Sequence, residues 1–193
     1  MFSLKHVSGV LLGFSLVLGS CGNAGETSGS AITQGSETVQ LLTMLDALQI
    51  AMDAGDTDRI FELTSTSAMR EEMLNRGGIT DPAKRAEALK QGEALGKATL
   101  ANATYSRHIM DTDNIRYETS KGGGPVAFIP VTLTLEISGI KLDSVGHYIG
   151  IYRDGEWLLT TPTDKNALGV IRSAFPELDG LDVPLNAAEA TSL

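Results

Sequence analysis

Apolar residues between positions 38 and 54 recur every three or four residues, which is the spacing of one face of an α-helix. This face consists of Val39, Leu42, Leu45, Leu48 and Met52, and it is widened by Leu41, Met44 and Ile50. Ala54-Gly55-Asp56 ends the pattern, because glycine suits the left-handed residue that follows many helices. The spacing predicts a long, well-buried first helix.

Polar capping residues introduce three further helical segments, since their side chains accept hydrogen bonds from the free amides of a first turn. These segments are a short helix after Thr57 or Asp58 that carries Ile60, Phe61 and Leu63, a helix over 68–75 after Thr66-Ser67, and a helix from Asp81-Pro82 to about Leu95. The apolar positions of the last segment are sparse and mostly alanine. We expect that helix to be partly exposed.

The second half of the chain alternates between apolar and polar positions, as β-strands do. Residues 103–110 and 115–119 flank Asp111-Thr112-Asp113-Asn114, which predicts a hairpin turn. The clearest strand follows Gly122-Gly123-Gly124-Pro125. Its predicted core face holds Ala127, Ile129, Val131, Leu133, Leu135 and Ile137, and its wetter face holds Phe128, Thr132, Thr134 and Glu136.

Two further signals lie in and after this strand. Pro130 has no N–H to give to a ladder, so it predicts an edge or a bulge that curves the sheet. Asp154-Gly155 joins residues 147–153 to 156–161 and predicts a two-residue hairpin with positive φ at both turn positions. Beyond Pro162, Thr163 or Asp164 can cap a last helix with Leu168, Ile171 and Ala174, and residues 176–193 read as a C-terminal tail.

The first twenty residues have the three parts of an export signal: the basic Lys5, an apolar run over 7–18, and the small residues Gly19 and Ser20. Twelve apolar residues are too few to span a bilayer as a helix. Leu18-Gly19-Ser20-Cys21 resembles the lipobox of bacterial lipoproteins. The resemblance implies removal of residues 1–20 and attachment of lipid, including a palmitate-type acyl chain, to Cys21, with two or three chains for a stable anchor.

The residues after the leader limit which domain organisation and which partners are possible. Residues 21–37 are rich in Gly, Ser and Thr and predict a flexible tether, and residues 38–175 are long enough for one domain. After residue 20 the chain has 14 basic and 24 acidic residues, a net charge of −10, which argues against a nucleic-acid partner. Because Cys21 is the single cysteine, no disulfide forms within the domain.

The order of the elements, helices first and antiparallel strands after them, is typical of an α+β domain whose sheet curves around the first helix. From about 38 to 161 the chain resembles the nuclear-transport-factor-2-like superfamily, a cystatin-like α+β cone. The resemblance rests on the short helix at Asp56-Thr57-Asp58-Arg59-Ile60 and the hairpin Tyr152-Arg153-Asp154-Gly155-Glu156-Trp157-Leu158-Leu159. It implies a ligand pocket at the open end of the cone, in a fold that hosts both enzymes and binding modules.

No group of residues in the sequence forms a catalytic, cofactor or metal motif. His108 and His147 are far apart and have no third partner at ligand spacing, so each is interpreted as structural. Asp111, Asp113 and Asn114 have the alternate spacing of a calcium loop but lack its glycine and distal glutamate, which leaves a solvated turn. The glycines at 122–124 precede a strand and not a helix, so they predict a loop and not a phosphate cradle. The tyrosines, interpreted as core and edge aromatics, are Tyr105, Tyr117, Tyr148 and Tyr152.

The sequence therefore predicts a membrane-anchored envelope lipoprotein that is not an enzyme, needs no cofactor, and binds a small molecule or a protein through the concave face of its sheet. Gly22 is not the aspartate that retains many Gram-negative lipoproteins at the inner membrane, so by resemblance the outer membrane facing the periplasm is favoured. One alternative is a pocket enzyme of the isomerase, dehydratase or hydrolase type, which a buried aspartate beside Tyr148 or His147 would support. The other is a ligand-free assembly factor, for which a filled cone and an exposed apolar patch would be the sign.

Overall fold

The structure is a computed structural model that describes residues 35–137 and 139–192. The predicted leader, the lipidation site Cys21 and all but the last three residues of the predicted tether lie outside the described residues. Across the described ranges, no helix is both long and apolar enough to cross a membrane.

The four predicted N-terminal helices are confirmed. They are α1 (Ser36–Ala54), α2 (Thr57–Thr64), α3 (Ser67–Arg76) and α4 (Pro82–Ala101). Side chains of Asp56, Thr66 and Asp81 cap the last three, so the cap of α2 is Asp56 and not Thr57 or Asp58. The α4 helix runs past Leu95 and holds no fully buried residue, which confirms that it is partly exposed.

Six antiparallel strands follow, and they form one sheet. They are β1 (Ala103–Met110), β2 (Arg116–Thr119), β3 (Pro125–Ile137), β4 (Ile140–Arg153), β5 (Glu156–Thr160) and β6 (Ala187–Ser192). The long β3 and β4 pair along their whole length in the centre of the sheet. Two short strands lie end to end on each side of this pair: β1 and β2 beside β3, and β5 and β6 beside β4.

The predicted hairpin over 103–119 is wrong, because β1 and β2 do not pair with each other. Both pair with β3, and a short 3₁₀ turn (Thr112–Asn114) separates them. The separation lies beside Pro130, whose carbonyl accepts a hydrogen bond from the Asp111 amide at 2.9 Å. Since the N–H and C=O of a strand residue point to the same side, the donor that proline lacks faces this break. Pro130 thus marks an interruption of the neighbouring strand, within a central strand and not at an edge.

The sheet is strongly curled into a half-barrel, and α1 packs in its concave face, which confirms the α+β class. The residues that fill this face from the helix are Leu41, Leu45, Leu48, Ala51 and Met52, and those from the sheet include Ala127, Ile129, Val131, Tyr148, Trp157 and Leu159. Val39 and Leu42, predicted on the buried face of α1, are exposed. The buried face is therefore centred on Leu41, Leu45 and Leu48.

The convex face of the sheet carries a second core, so the prediction of a wetter face is wrong at Phe128, which is fully buried. Val126, Phe128, Ile149 and Ile151 pack there under the helix α5 (Lys165–Ala174) and the chain after it. The predicted last helix is confirmed, with Asp164 accepting a hydrogen bond from the Ala167 amide at 2.7 Å.

The sequence predicts a C-terminal tail over residues 176–193, but the structure packs residues 176–192 of this stretch on the sheet. Leu178 and Val183 are buried in the convex core, and β6 pairs with residues 140–145 of β4. The Asp154-Gly155 hairpin is confirmed, with φ of +54° and +89° at the two turn residues. The domain therefore extends at least to residue 192.

Candidate functional site

Trp157 joins the start of α1 to the sheet. It lies in β5, directly after the Asp154-Gly155 turn, and its indole N–H donates to the Glu37 carbonyl at 2.6 Å. Gly150 lies beneath the ring, so closely that a Cβ at this position would stand 3.1 Å from a ring carbon. The Tyr152 ring packs at 5.4 Å between centroids. Glycine at 150 therefore allows the indole to pack closely on the sheet while its N–H holds the N-terminal turn of α1.

A cavity of about 260 Å³ lies where this turn of α1 meets the loop between β2 and β3. Its lining consists of Glu37, Thr38, Tyr117, Thr119, Gly123, Pro125 and Trp157. The loop is closed by hydrogen bonds from the Ser120 amide to the Gly124 carbonyl and from the Gly123 amide to the Ser120 carbonyl, at 2.8 and 2.9 Å. Gly123 has a φ of +88°, which favours glycine. This confirms residues 122–124 as a hairpin loop.

The chemistry of the lining is aromatic and acidic. Glu37 is the one charged side chain among the seven lining residues. Burial raises the pKa of the Tyr117 hydroxyl, and its hydrogen bond with the Thr38 side chain partly offsets that rise. The phenol therefore stays protonated at neutral pH.

A second polar group connects the concave face to α1 through His108. Its Nε2 lies 3.1 Å from the Tyr148 hydroxyl and its Nδ1 3.0 Å from Gln49 Oε1. Gln49 Nε2 in turn donates to Asp53 Oδ1 at 2.9 Å. Because an ionised carboxylate only accepts, the Gln49 amide nitrogen must face Asp53, and its oxygen must accept from His108 Nδ1–H. His108 Nε2 then accepts from Tyr148, which gives one directed chain from the buried tyrosine to the surface.

The protonation states of His108 and Tyr148 suit a structural role for this series of hydrogen bonds. Burial lowers the pKa of His108, against the opposing charge of Asp53, and burial raises the pKa of Tyr148 far above its usual range. Both groups are therefore neutral at pH 7. Tyr148 keeps only 5% of its surface exposed, so its hydroxyl is not open to a substrate. The one carboxylate in this series of hydrogen bonds, that of Asp53, is exposed and is connected to His108 only through Gln49.

His147 lies on the opposite face of β4 from Tyr148, as consecutive strand residues do. Its pKa is lowered by burial and by the charge of Arg116, and its Nδ1 is buried without a hydrogen-bond partner. The backbone amide of His147 donates to Asn186 Oδ1 at 2.8 Å. The two histidines thus face different cores, and the fold does not bring them together.

The remaining sequence candidates are placed as follows. Asp111, Asp113 and Asn114 are exposed in the turn between β1 and β2, and Asn114 donates to the Asp111 carboxylate at 2.8 Å. Over the ranges 35–137 and 139–192, no three His, Cys, Asp or Glu side chains converge to hold a metal ion. Tyr105 packs against the concave core.

The cavity is not visible in the sequence because its walls come from distant parts of the chain. Glu37 and Thr38 stood at the border of the predicted tether, and Tyr117 was interpreted as a core or edge aromatic. Trp157 entered only as part of the hairpin motif. The one available signal was that Trp157 is the single tryptophan of the chain and follows the tight turn by two residues.

Comparisons of the chain with family models, with curated proteins and with solved structures gave no match.

Proposed function

We propose that this chain is a lipid-anchored lipoprotein of the cell envelope whose domain, of the nuclear-transport-factor-2-like type, binds a small molecule without transforming it. The observation that carries the binding role is the cavity between α1 and the β2–β3 loop, whose lining residues include two aromatic residues and one acidic residue. Pockets of mostly apolar lining with a few polar groups are the usual ligand sites of small domains. The helices followed by a curled antiparallel sheet support the fold type.

The ligand site we propose differs from the one that the sequence suggested. The concave face of the sheet was expected to bind the ligand, but the side chains of α1 fill it. Binding is therefore assigned to the end of the concave face, beside Glu37 and Trp157. An enzymatic role has less support, because His108 and Tyr148 are hydrogen-bonded to each other and to Gln49, and the carboxylate of Asp53, which bonds to Gln49, is exposed.

The proposed lipid anchor would keep the cavity near the membrane surface. Cys21 precedes Gly35 by fourteen residues of Gly- and Ser-rich sequence. A flexible tether of this length has a root-mean-square span of about 20 Å. Because α1 begins at the cavity, we propose that the cavity lies close to the lipid surface, on the periplasmic side of the outer membrane if the source is Gram-negative.

The test is to isolate the chain from its native compartment and to compare mass spectra under native and denaturing conditions. We expect a reproducible extra mass that disappears on denaturation. Thr119→Trp, which fills the cavity from β2, should abolish the extra mass. Thr104→Trp, the same change on the exposed edge strand β1, is the matched control and should keep it. Equal masses for the wild type under gentle conditions would contradict the binding role.

A ligand-free assembly factor is the second candidate, because the concave face is filled and α1 presents apolar side chains to solvent. Val39 and Ile50 are 64% and 69% exposed on the outer side of this helix. Photo-crosslinking from position 50 in the intact envelope should then yield one defined protein adduct. The same probe at Gln91 on α4 is the control. The assembly role fails if position 50 gives no adduct above that control.

A further inference from the structure

We propose that the cavity between α1 and the β2–β3 loop takes an organic ammonium group, held by the Glu37 carboxylate and the rings of Tyr117 and Trp157. This inference rests on the proposed binding function and names its ligand class. Aromatic faces attract cations through the ring quadrupole, and a carboxylate beside them adds a direct charge interaction.

The polar edge of the Trp157 ring is already used inside the protein, because its N–H donates to the Glu37 carbonyl at 2.6 Å. The Tyr117 hydroxyl oxygen accepts from the Thr38 side chain. A ligand that needs the indole N–H, such as an anion, would have to break the bond to Glu37. Tyr117 is half-buried and Trp157 is 7% exposed, so the Tyr117 ring offers most of the aromatic surface on which a cation would lie.

Basic side chains near the loop are directed away from the cavity. Arg116 stacks on the Phe128 ring at 4.2 Å, on the convex face, and donates to the Asp182 carbonyl at 2.9 Å. Lys121 lines a different depression, together with Arg153 and Glu177. None of the seven residues that line the cavity is basic. A bound cation therefore meets no like charge in the lining.

The dipole of α1 and the net charge of the domain also act on a charged ligand. The amino end of a helix favours anions, but the first turn of α1 already holds the Glu37 carboxylate, which balances that field. The net charge of −10 after residue 20 attracts cations to the domain as a whole. The cavity of about 260 Å³ is smaller than the pockets of drug-sized ligands, which suits a choline- or ethanolamine-sized group.

The single tryptophan makes the test direct, because Trp157 lines the cavity and its fluorescence reports on occupancy. The full chain, in a non-ionic detergent, is titrated with choline, with ethanolamine, and with 3,3-dimethylbutanol, the uncharged isostere of choline. We expect a saturable fluorescence change with at least one of the two cations and a response at least about tenfold weaker with the alcohol, as loss of the cation–π and charge interactions predicts.

Matched variants test the Glu37 charge and the Tyr117 ring separately. Glu37→Gln should weaken cation binding about fivefold or more, whereas Asp46→Asn, which removes the same charge from the exposed side of α1, should leave it unchanged. Tyr117→Leu should weaken binding while Tyr117→Phe, which keeps the ring, should retain it. A thermal melt of each variant checks that the domain still folds.

A lipid headgroup and a free amine share this chemistry, so the chain is also reconstituted into vesicles with and without phosphatidylethanolamine on a phosphatidylglycerol background. A response to a soluble amine supports a free ligand, and a response confined to phosphatidylethanolamine supports the headgroup as the source. Equal affinity for choline and its neutral isostere would overturn the ammonium assignment and leave the binding function intact. No response to any cation or to phosphatidylethanolamine would overturn the assignment too, and the mass comparison would then decide the binding function separately.

Discussion

The free energy of unfolding should fall as the pH drops below about 6.5, because both histidines of the domain are partly buried in a neutral state. Burial lowers the pKa of His108 and His147, and the charge of Arg116 lowers that of His147 further. Above the ordinary imidazole pKa both the folded and the unfolded chain hold neutral rings. Below it the unfolded chain binds protons that the folded chain binds only at lower pH, so folding becomes less favourable.

The size of the effect follows from the number of protons. Two protons taken up only by the unfolded chain give a limiting slope of about 2.7 kcal/mol per pH unit. Both rings keep some contact with solvent, which reduces the difference between the two states, so we expect about half of that limit. The carboxylates of Asp143 and Glu177 have lowered pKa values through the Thr134 hydroxyl and the Arg153 guanidinium, and they act in a separate window below about pH 4.5.

The assay is urea unfolding followed by Trp157 fluorescence, at half-unit steps from pH 5 to pH 8. His108→Gln and His147→Gln should each remove part of the slope, and the double variant should remove most of it. Asp113→Asn, a change in the exposed turn between β1 and β2, is the control and should leave the slope unchanged. A wild-type stability that stays constant from pH 7 to pH 5, or a double variant with the full slope, would refute the reasoning.

Three further predictions concern packing and anchoring. Leu178→Ala should lower the free energy of unfolding by about 2–5 kcal/mol in the same urea assay, since this side chain is fully buried although its segment resembled a tail; a loss below about 1 kcal/mol would contradict its place in the core. Gly150→Ala should change the Trp157 emission maximum, because the indole must shift by a few tenths of an ångström to clear the new Cβ; unchanged emission would count against that contact. Cys21→Ala should move the protein from the membrane fraction to the soluble fraction of the envelope, and continued sedimentation with membranes would contradict the lipid anchor.

Local chemistry made the helices and the tight hairpin predictable. Capping by Asp81 with Pro82, and the Asp154-Gly155 pair, act within a few residues, so their effect is visible in the sequence and recurs in the structure. The burial of α1 was less predictable in detail. Its apolar residues cover more than one face, and only the curvature of the sheet decides that Leu41 is buried and Val39 exposed.

Long-range partners account for the predictions that failed. The residues between β1 and β2 resemble a turn, but each strand finds a better partner in β3, which begins only after β2 ends. Phe128 looks like a surface residue until α5 and the segment after it cover the convex face. The cavity is missed for the same reason: Glu37, Tyr117 and Trp157 are brought together from three elements, and no spacing in the sequence relates them.

Coverage of both faces of the sheet limits where a ligand can bind in this part of the fold. The concave face is filled by α1, and much of the convex face lies under α5 and the chain that follows it. Binding at the middle of either face would require these elements to move away from side chains that are fully buried, at a large cost in apolar surface. The end of the concave face needs no such movement, because there the helix begins and the β2–β3 loop turns back. This packing therefore favours the proposed site beside Glu37 and Trp157, where a ligand would lie next to the first turn of α1.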